Sequence, residues 1–152
     1  MDKYKIGLYE KAMKNTLSWK EKLQCAKECG YDYLEISIDA TDEKINRIFM
    51  DKEEIKEIME AVFETEIPIG SMSVSALTKY ALGDPSETVR EKAMQIAGKS
   101  IELASVLGVR TVMIPGYDIY YGESTVETKR FFLENVKKIA EIAEQEGILV
   151  GF

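Results

Sequence analysis

A chain of 152 residues, 45% apolar and 31% charged, has room for one domain with a real core, which excludes a disordered or fibrous protein. Its 20 Lys and Arg against 27 Asp and Glu leave a net charge of -7, and no Lys/Arg stripe with interleaved aromatics offsets it, so the balance argues against a nucleic-acid partner. Apolar runs are strand-sized and Met1 to Lys5 enter the first of them without a signal-peptide core, which points to a cytoplasmic protein with no membrane partner.

The first expected strand is Lys5 to Tyr9, and the residues after it, Glu10-Lys11-Ala12-Met13, contain no glycine-rich phosphate turn. A capping box, Ser18-Trp19-Lys20-Glu21, opens the first helix, and Gly30 is placed to stop it. Cys25 and Cys29 lie on that helix; with no histidine in the chain they cannot build an ordinary zinc site and read as reduced thiols, at least one of them buried. The second strand spans Tyr33 to Ile38, and Asp51-Lys52-Glu53-Glu54 caps the next helix. A third strand, Ile67 to Val74, precedes the cap Asp84-Pro85-Ser86-Glu87, with Pro85 expected at the first helical position. Val89, Ala93, Ile96, Ala97, Ile101, Ala104 and Leu107 give this third helix one apolar stripe, ended by Gly108. The fourth strand is Thr111 to Ile114; Ser124-Thr125-Val126-Glu127 then caps a helix striped by Phe132, Val136, Ile139, Ala140 and Ala143 and ended by Gly147. Ile148 to Phe152 read as a fifth strand.

Strict alternation of strand and helix implies parallel strands joined by right-handed crossovers, either in an open doubly wound sheet or in a (β/α) barrel. The missing glycine-rich turn disfavours a dinucleotide-binding sheet, so the barrel is expected. A whole barrel has eight units and about 250 residues. The chain is therefore read as a single domain, 1–152, holding four β/α units plus a fifth strand, half a barrel truncated in that strand.

In a barrel, alternate strand residues face inward and chemistry gathers at the C-terminal strand ends. Leu34, Ile36 and Ile38 share one face of the second strand, with Glu35, Ser37 and Asp39 on the other; Met72 and Val74 oppose Ser71, Ser73 and Ser75 on the third. A carboxylate inside a barrel is costly unless paired, metal-bound or used in acid/base work, which makes Glu35 a site candidate beside the alternative of a structural ion pair. The serines suit either a ligand or a polar network within the barrel. Tyr9, Glu10 and Lys11 close the first strand, while Tyr117, Asp118, Tyr120 and Tyr121 follow the fourth, a mixture that suits a sugar or simply covers the mouth. Lys11, Arg47 and Lys79 lie near strand ends, within reach of a phosphate. No P-loop or Gly-x-Ser-x-Gly elbow is present, and no histidine exists to activate a nucleophile, so carboxylate acid/base chemistry remains.

Three segments, Ile6-Gly7-Leu8-Tyr9-Glu10-Lys11-Ala12, Gly30 to Asp39 and Pro115-Gly116-Tyr117-Asp118-Ile119-Tyr120-Tyr121, resemble the N-terminal half of the L-ribulose-5-phosphate 3-epimerases. This family, also known as L-xylulose-5-phosphate 3-epimerases or hexulose-6-phosphate isomerases, belongs to the xylose-isomerase-like TIM barrels. The resemblance implies a phosphorylated pentulose or hexulose, a divalent metal (Mn or Zn) on the sugar carbonyl, and two glutamates that move a proton through an enediolate. It places the metal ligands and those glutamates from the fifth strand onward, with none in this chain and the first expected just beyond Phe152. What it carries over is a substrate wall of Tyr9, Glu10, Lys11, Glu35, Ser37, Ser73, Tyr117 and Tyr121. Leu77 stands where the family pattern has a histidine. The chain alone is expected to be inactive, and unpaired barrel edges are expected to drive self-association. The alternatives are a non-catalytic half-barrel used for assembly or binding and another sugar isomerase of the same superfamily.

Overall fold

The computed structural model describes residues 4–152; Met1, Asp2 and Lys3, on which part of the leader-free reading rests, lie outside the described residues. Five parallel strands form one sheet in the order β1 (Gly7–Tyr9), β2 (Tyr33–Ser37), β3 (Ile69–Ser73), β4 (Thr111–Met113) and β5 (Leu149–Gly151). Sequential order without a reversal is the winding of a barrel, since a doubly wound sheet switches direction part-way. The outer sides of β1 and β5 are both unpaired among the described residues.

Helices α1 (Trp19–Glu28), α2 (Asp42–Asn46), α3 (Lys52–Thr65), α4 (Glu87–Val106) and α5 (Val126–Glu146) accompany the strands. Period-two alternation decides which face they cover. Leu34, Ile36 and Ile38, together with Met72, Val74 and Val112, are wholly buried, each side chain contributing about 1.5–3 kcal/mol through loss of apolar surface to water. They meet Leu23, Ala26, Ile58, Ile96, Ala97 and Ile101 in one core. On the opposite face Glu35 and Ser73 are only half-buried, while Met113 and Leu149 are exposed. Helices therefore cover one side of the sheet, and the other side is the concave face of a barrel wall.

Local signals explain most boundaries. Ser18 and Glu21 close a reciprocal capping box on α1, and Asp51 and Glu54 close one on α3. Gly30, Gly108 and Gly147 take positive φ as expected, but α3 ends on Glu66, a non-glycine residue at φ 60°. Two caps differ from expectation. Helix α4 starts at Glu87 with Ser86 as its cap and no side-chain bond from it, so Pro85 lies outside the helix. Asp84 turns the chain there by accepting from the Ser86 N–H at 2.8 Å. Helix α5 is capped by Thr125 with Thr128, one residue later than the sequence pattern suggests, because the Ser124 hydroxyl donates to Asp118 at 2.8 Å. Neither cysteine is buried: Cys25 is half-buried and Cys29 exposed. Ala140, expected in the buried stripe of α5, is exposed as well. It borders a groove of about 480 Å³ between α5 and β5, lined by Val136, Ala140, Ala143, Ile148 and Phe152.

The concave face has a built floor. The ring of Tyr33 lies across β1 and β3, where a Cβ on Gly7 would stand 2.2 Å from it and one on Gly70 2.4 Å. The β2–β3 register slips by one residue at Gly70, between the pairs Leu34–Ile69 and Glu35–Ser71. Gly7→Ala is expected to cost about 1–3 kcal/mol by overpacking, and removal of the ring in the double variant Gly7→Ala/Tyr33→Ala is expected to recover much of the loss. Urea denaturation of the single and double variants measures this; strictly additive losses would show that the ring is not what excludes the methyl group.

Candidate functional site

The C-terminal ends of β1, β2 and β3 bring together the polar side chains that the sequence suggested. Tyr9, last in β1, points its hydroxyl toward Ser37 Oγ at 3.4 Å. Glu35 accepts a hydrogen bond from Ser71 Oγ at 2.7 Å across the β2–β3 pair, and it forms no ion pair among the described residues. Asp39 accepts from Ser75 Oγ at 3.0 Å and from the Ala40 N–H at 2.8 Å, and meets Lys11 Nζ at 2.6 Å. Burial opposes ionisation of both partners, but their mutual contact outweighs it: the Lys11 pKa is raised and that of Asp39 lowered. Ser73 ends β3, half-buried on the concave face. Toward the N-terminal strand ends that face borders an open hollow of about 430 Å³ lined by Tyr33, Glu35, Ser71, Thr111 and Met113.

Tyr117 lies on the loop between β4 and α5, its hydroxyl 2.5 Å from Thr78 Oγ1. Its ring neighbours Tyr120 at 5.1 Å between centroids, and Tyr120 meets Tyr121 edge-on at 4.8 Å. Tyr121 is 79% exposed, so this aromatic shelf borders the mouth at its rim. The shelf is anchored from below. Asp118 accepts from Thr128 Oγ1 at 2.5 Å and Ser124 Oγ at 2.8 Å. Although burial pushes the Asp118 pKa up, these donors carry it below the usual carboxylate range.

Glu10 is not on this open face. The chain turns into a single 3-10 turn, Glu10–Ala12, directly after β1, and that turn carries the Glu10 carboxylate back into the helix layer, where it is 1% exposed. Oε1 accepts from Lys22 Nζ at 2.8 Å, Lys44 Nζ at 2.6 Å and Arg47 Nη2 at 2.8 Å; Oε2 accepts from Arg47 Nη1 at 2.6 Å and the Ser37 N–H at 2.9 Å. The Trp19 ring covers the cluster, 4.7 Å from Lys22 Nζ and 4.8 Å from the Arg47 guanidinium. Arg47, which the sequence left within reach of a phosphate, is thus committed to Glu10. Burial alone would raise the Glu10 pKa, yet Arg47, Lys22 and Lys44 hold it far below the usual range. Lys44 is lowered, first by burial and then by Arg47 and Lys22, more than Glu10 can restore.

These shifts fix the acid response. Glu10, Asp39 and Asp118 all have native pKa values below their ordinary 4.5, 3.8 and 3.8. On acidification the unfolded chain binds those protons first, so the stability they supply is complete above about pH 4.5 and is lost as pH falls further. Urea midpoints should be flat from pH 7 to 5 and then fall; a midpoint that holds to pH 3 would contradict the ion-pair geometry.

The sequence missed Lys22, Lys44, Trp19 and Thr78 as parts of this region. No group of three His, Cys, Asp or Glu side chains among the described residues is close enough together to hold a metal ion. Of the carboxylates on the concave side, Glu35 is engaged with Ser71, and Asp39 with Lys11 and Ser75. The described residues therefore do not fit the metal that the resemblance implies. No helix among the described residues is long and apolar enough to cross a membrane.

Comparison with known proteins agrees with the geometry. The family model described as "Xylose isomerase-like TIM barrel" matches residues 23–152. UlaE of Escherichia coli O139:H28, an L-ribulose-5-phosphate 3-epimerase by name, is 36% identical over 146 residues, which are 96% of this chain and 51% of that protein. The chain thus spans about half the length of the curated relatives it matches. Among solved structures, D-psicose 3-epimerase with D-tagatose from Clostridium cellulolyticum H10 superposes with a TM-score of 0.74 at 17% identity, covering 97% of this chain and 51% of that one. A xylose isomerase-like TIM barrel protein from Mycobacterium smegmatis in complex with magnesium reaches 0.64 at 17% identity, covering 87% and 45%. A sequential parallel sheet with helices on one face and polar side chains at its C-terminal strand ends, matched by that family model over most of its length, identifies this chain as a member of the xylose isomerase-like TIM barrel family.

Proposed function

We propose that the chain forms the sugar-facing wall of a metal-dependent sugar-phosphate 3-epimerase of the cytoplasm, acting on L-ribulose 5-phosphate or L-xylulose 5-phosphate by proton abstraction through an enediolate. The carrying observation is Glu35: a half-buried carboxylate on the concave face, held by a neutral serine instead of a cation, beside Tyr9, Ser37 and Ser73. The likeness to UlaE supports the substrate class. Tyr9, Lys11, Glu35, Ser37, Ser73, Tyr117 and Tyr121 contribute binding; Glu10 supports them from behind. A divalent metal belongs to the complete barrel in this reading, in keeping with the magnesium-bound neighbour. Because the described residues supply no metal cluster, this chain alone is expected to be inactive. The test is 3-epimerisation of both pentulose phosphates, with manganese or zinc added, by this chain, by the C-terminal half of a UlaE-type enzyme, and by the two together. Turnover only by the pair is expected. No turnover by the pair, or robust turnover by this chain alone, would overturn the assignment.

A second reading, a half-barrel that works by assembly, draws on a separate observation. The edges of β1 and β5 are unpaired among the described residues, and Leu149 and Phe152 are 68% and 63% exposed beside β5. Such edges pair with other chains. Size-exclusion chromatography is expected to give dimers or larger species, and a monomer across a wide concentration range would remove this reading.

A further inference from the structure

The outward side of α3 divides into two flanks. Helical spacing puts Glu53, Glu57, Glu60 and Glu64 along one of them, all exposed. Along the other run Lys56, Met59 and Phe63, and the same alternation of three and four residues reaches Glu66 at the C-cap. Phe63 is 84% exposed and Met59 42%, and with Lys56 and Glu60 they line a shallow hollow of about 410 Å³. Ile55, one turn before Met59, carries the apolar surface on to Phe49 and Val106, which border a groove of about 300 Å³ beside α4 and are themselves exposed. Two phenyl rings turned outward on one helix layer mark an interaction surface rather than an ordinary solvated face.

The stripe is its own complement. Met59 and Phe63 are equally spaced in sequence about Ala61, and so are Lys56 and Glu66. An antiparallel pairing of two such helices, centred at Ala61, sets Phe63 of each copy on Met59 of the other and Lys56 of each opposite Glu66 of the other. Every contact then occurs twice, which is the condition for a closed two-fold dimer. Within one chain Lys56 meets Glu60 at 3.7 Å and Glu66 meets Lys27 at 3.1 Å, all on well-exposed side chains. Such pairs contribute little and are free to exchange for pairs between copies. An anionic lipid surface suits this face poorly, because the row of four glutamates and the net charge of -7 both repel it.

We propose that the Lys56, Met59, Phe63 and Glu66 stripe of α3 is a self-association surface, through which two copies of the chain pair antiparallel about a two-fold axis at Ala61. This pairing leaves the edges of β1 and β5 untouched and is independent of what the concave face binds.

The test is sedimentation equilibrium of the whole chain and its variants, each checked for folding by circular dichroism. The parent is expected to dimerise, and Phe63→Glu, a change at an exposed side chain, to weaken the dimer about tenfold or more, as for an aromatic residue central to an interface. Lys56→Glu and Glu66→Lys each set like charges opposite one another twice, so each alone should associate more weakly than the parent. An equimolar mixture of those two variants should associate more tightly than either alone, because all four charges then meet their opposites. Leu149→Lys, in the edge strand β5, should leave this dimer intact. A parent that stays monomeric, a Phe63→Glu variant that associates like the parent, or a mixture no tighter than its components would each overturn the proposal. Association lost in Leu149→Lys and kept in Phe63→Glu would belong to the sheet edge and would overturn it too. So would a monomeric parent that binds phosphatidylserine vesicles through Phe63, which would assign the face to a lipid surface.

Discussion

Glu10→Ala is expected to destabilise the chain by about 3–5 kcal/mol, the cost of breaking a buried ion cluster by removing one member. The reason is the imbalance at that point. Five hydrogen bonds converge on the Glu10 carboxylate, four of them from Lys22, Lys44 and Arg47. Without it, three cations face one another with no anion among the described residues in reach, and the Ser37 N–H loses its acceptor. A total stability of 5–15 kcal/mol is usual for a domain, so a loss of this size removes much of the margin. The decisive comparison is the triple variant Glu10→Ala/Lys22→Met/Lys44→Met. If uncompensated charge is the cause, deleting two cations along with the carboxylate should recover part of the loss, giving strong non-additivity. Denaturation midpoints by circular dichroism decide it. A Glu10→Ala variant within 1 kcal/mol of the parent, in the sense of an exposed pair, would mean that the cluster is not buried as described.

Glu10 also marks where the sequence stops being informative. Alternation along β2 separates Leu34, Ile36 and Ile38 from Glu35, Ser37 and Asp39 by face, because a strand has a strict period of two. Period does not report burial, however: Ser37 is as fully buried as the apolar set, while Glu35 and Asp39 are half-buried. Position after a strand has no such period. Tyr9, Glu10 and Lys11 look equivalent as loop residues, but one 3-10 turn sends Glu10 to the helix layer while Tyr9 and Lys11 stay at the mouth. The cations that reveal this come from α1, α2 and the turn after α2, remote in sequence from Glu10 and each individually resembling a surface lysine or arginine. Similarly, the apolar spacing of α5 put Ala140 in the core, yet period 3.6 reports only which residues share a stripe. Whether a neighbour covers that stripe is a tertiary fact, and beside β5 the flank bearing Ala140 is open.

Gly83→Ala is expected to be the most damaging single methyl addition outside the strands, because what blocks it is backbone. A Cβ at Gly83 would lie 2.4 Å from the Thr128 carbonyl oxygen and 2.7 Å from that of Asp118, whereas the atoms opposing Gly7 and Gly70 belong to a side chain that can swing. The Gly83 N–H donates to the Asp118 carbonyl at 3.0 Å, and Asn135 Nδ2 donates to the Leu82 carbonyl at 2.8 Å. Those bonds tie the segment before α4 to the loop before α5 and to α5 itself. Thr128 is in the first turn of α5 and cannot retreat without unwinding it, so the strain falls on the loop that carries Tyr117, Tyr120 and Tyr121. Overpacking of this kind costs about 1–3 kcal/mol and occasionally more, and two backbone atoms place this case at the upper end. The larger effect is local: amide exchange of residues 116–124 should accelerate far more than that of the strands, and the hydrogen bond between Tyr117 and Thr78 should break. Asp118→Asn, which keeps the backbone bonds and weakens only the carboxylate's hold on Ser124 and Thr128, should loosen the same loop to a smaller degree. Equal exchange rates in Gly83→Ala and the parent would show that the shelf is not held through this glycine. An equal acceleration across β1 to β5 would instead mean that the two loops are part of the global folding unit, and that the aromatic shelf cannot be loosened without unfolding the wall beneath it.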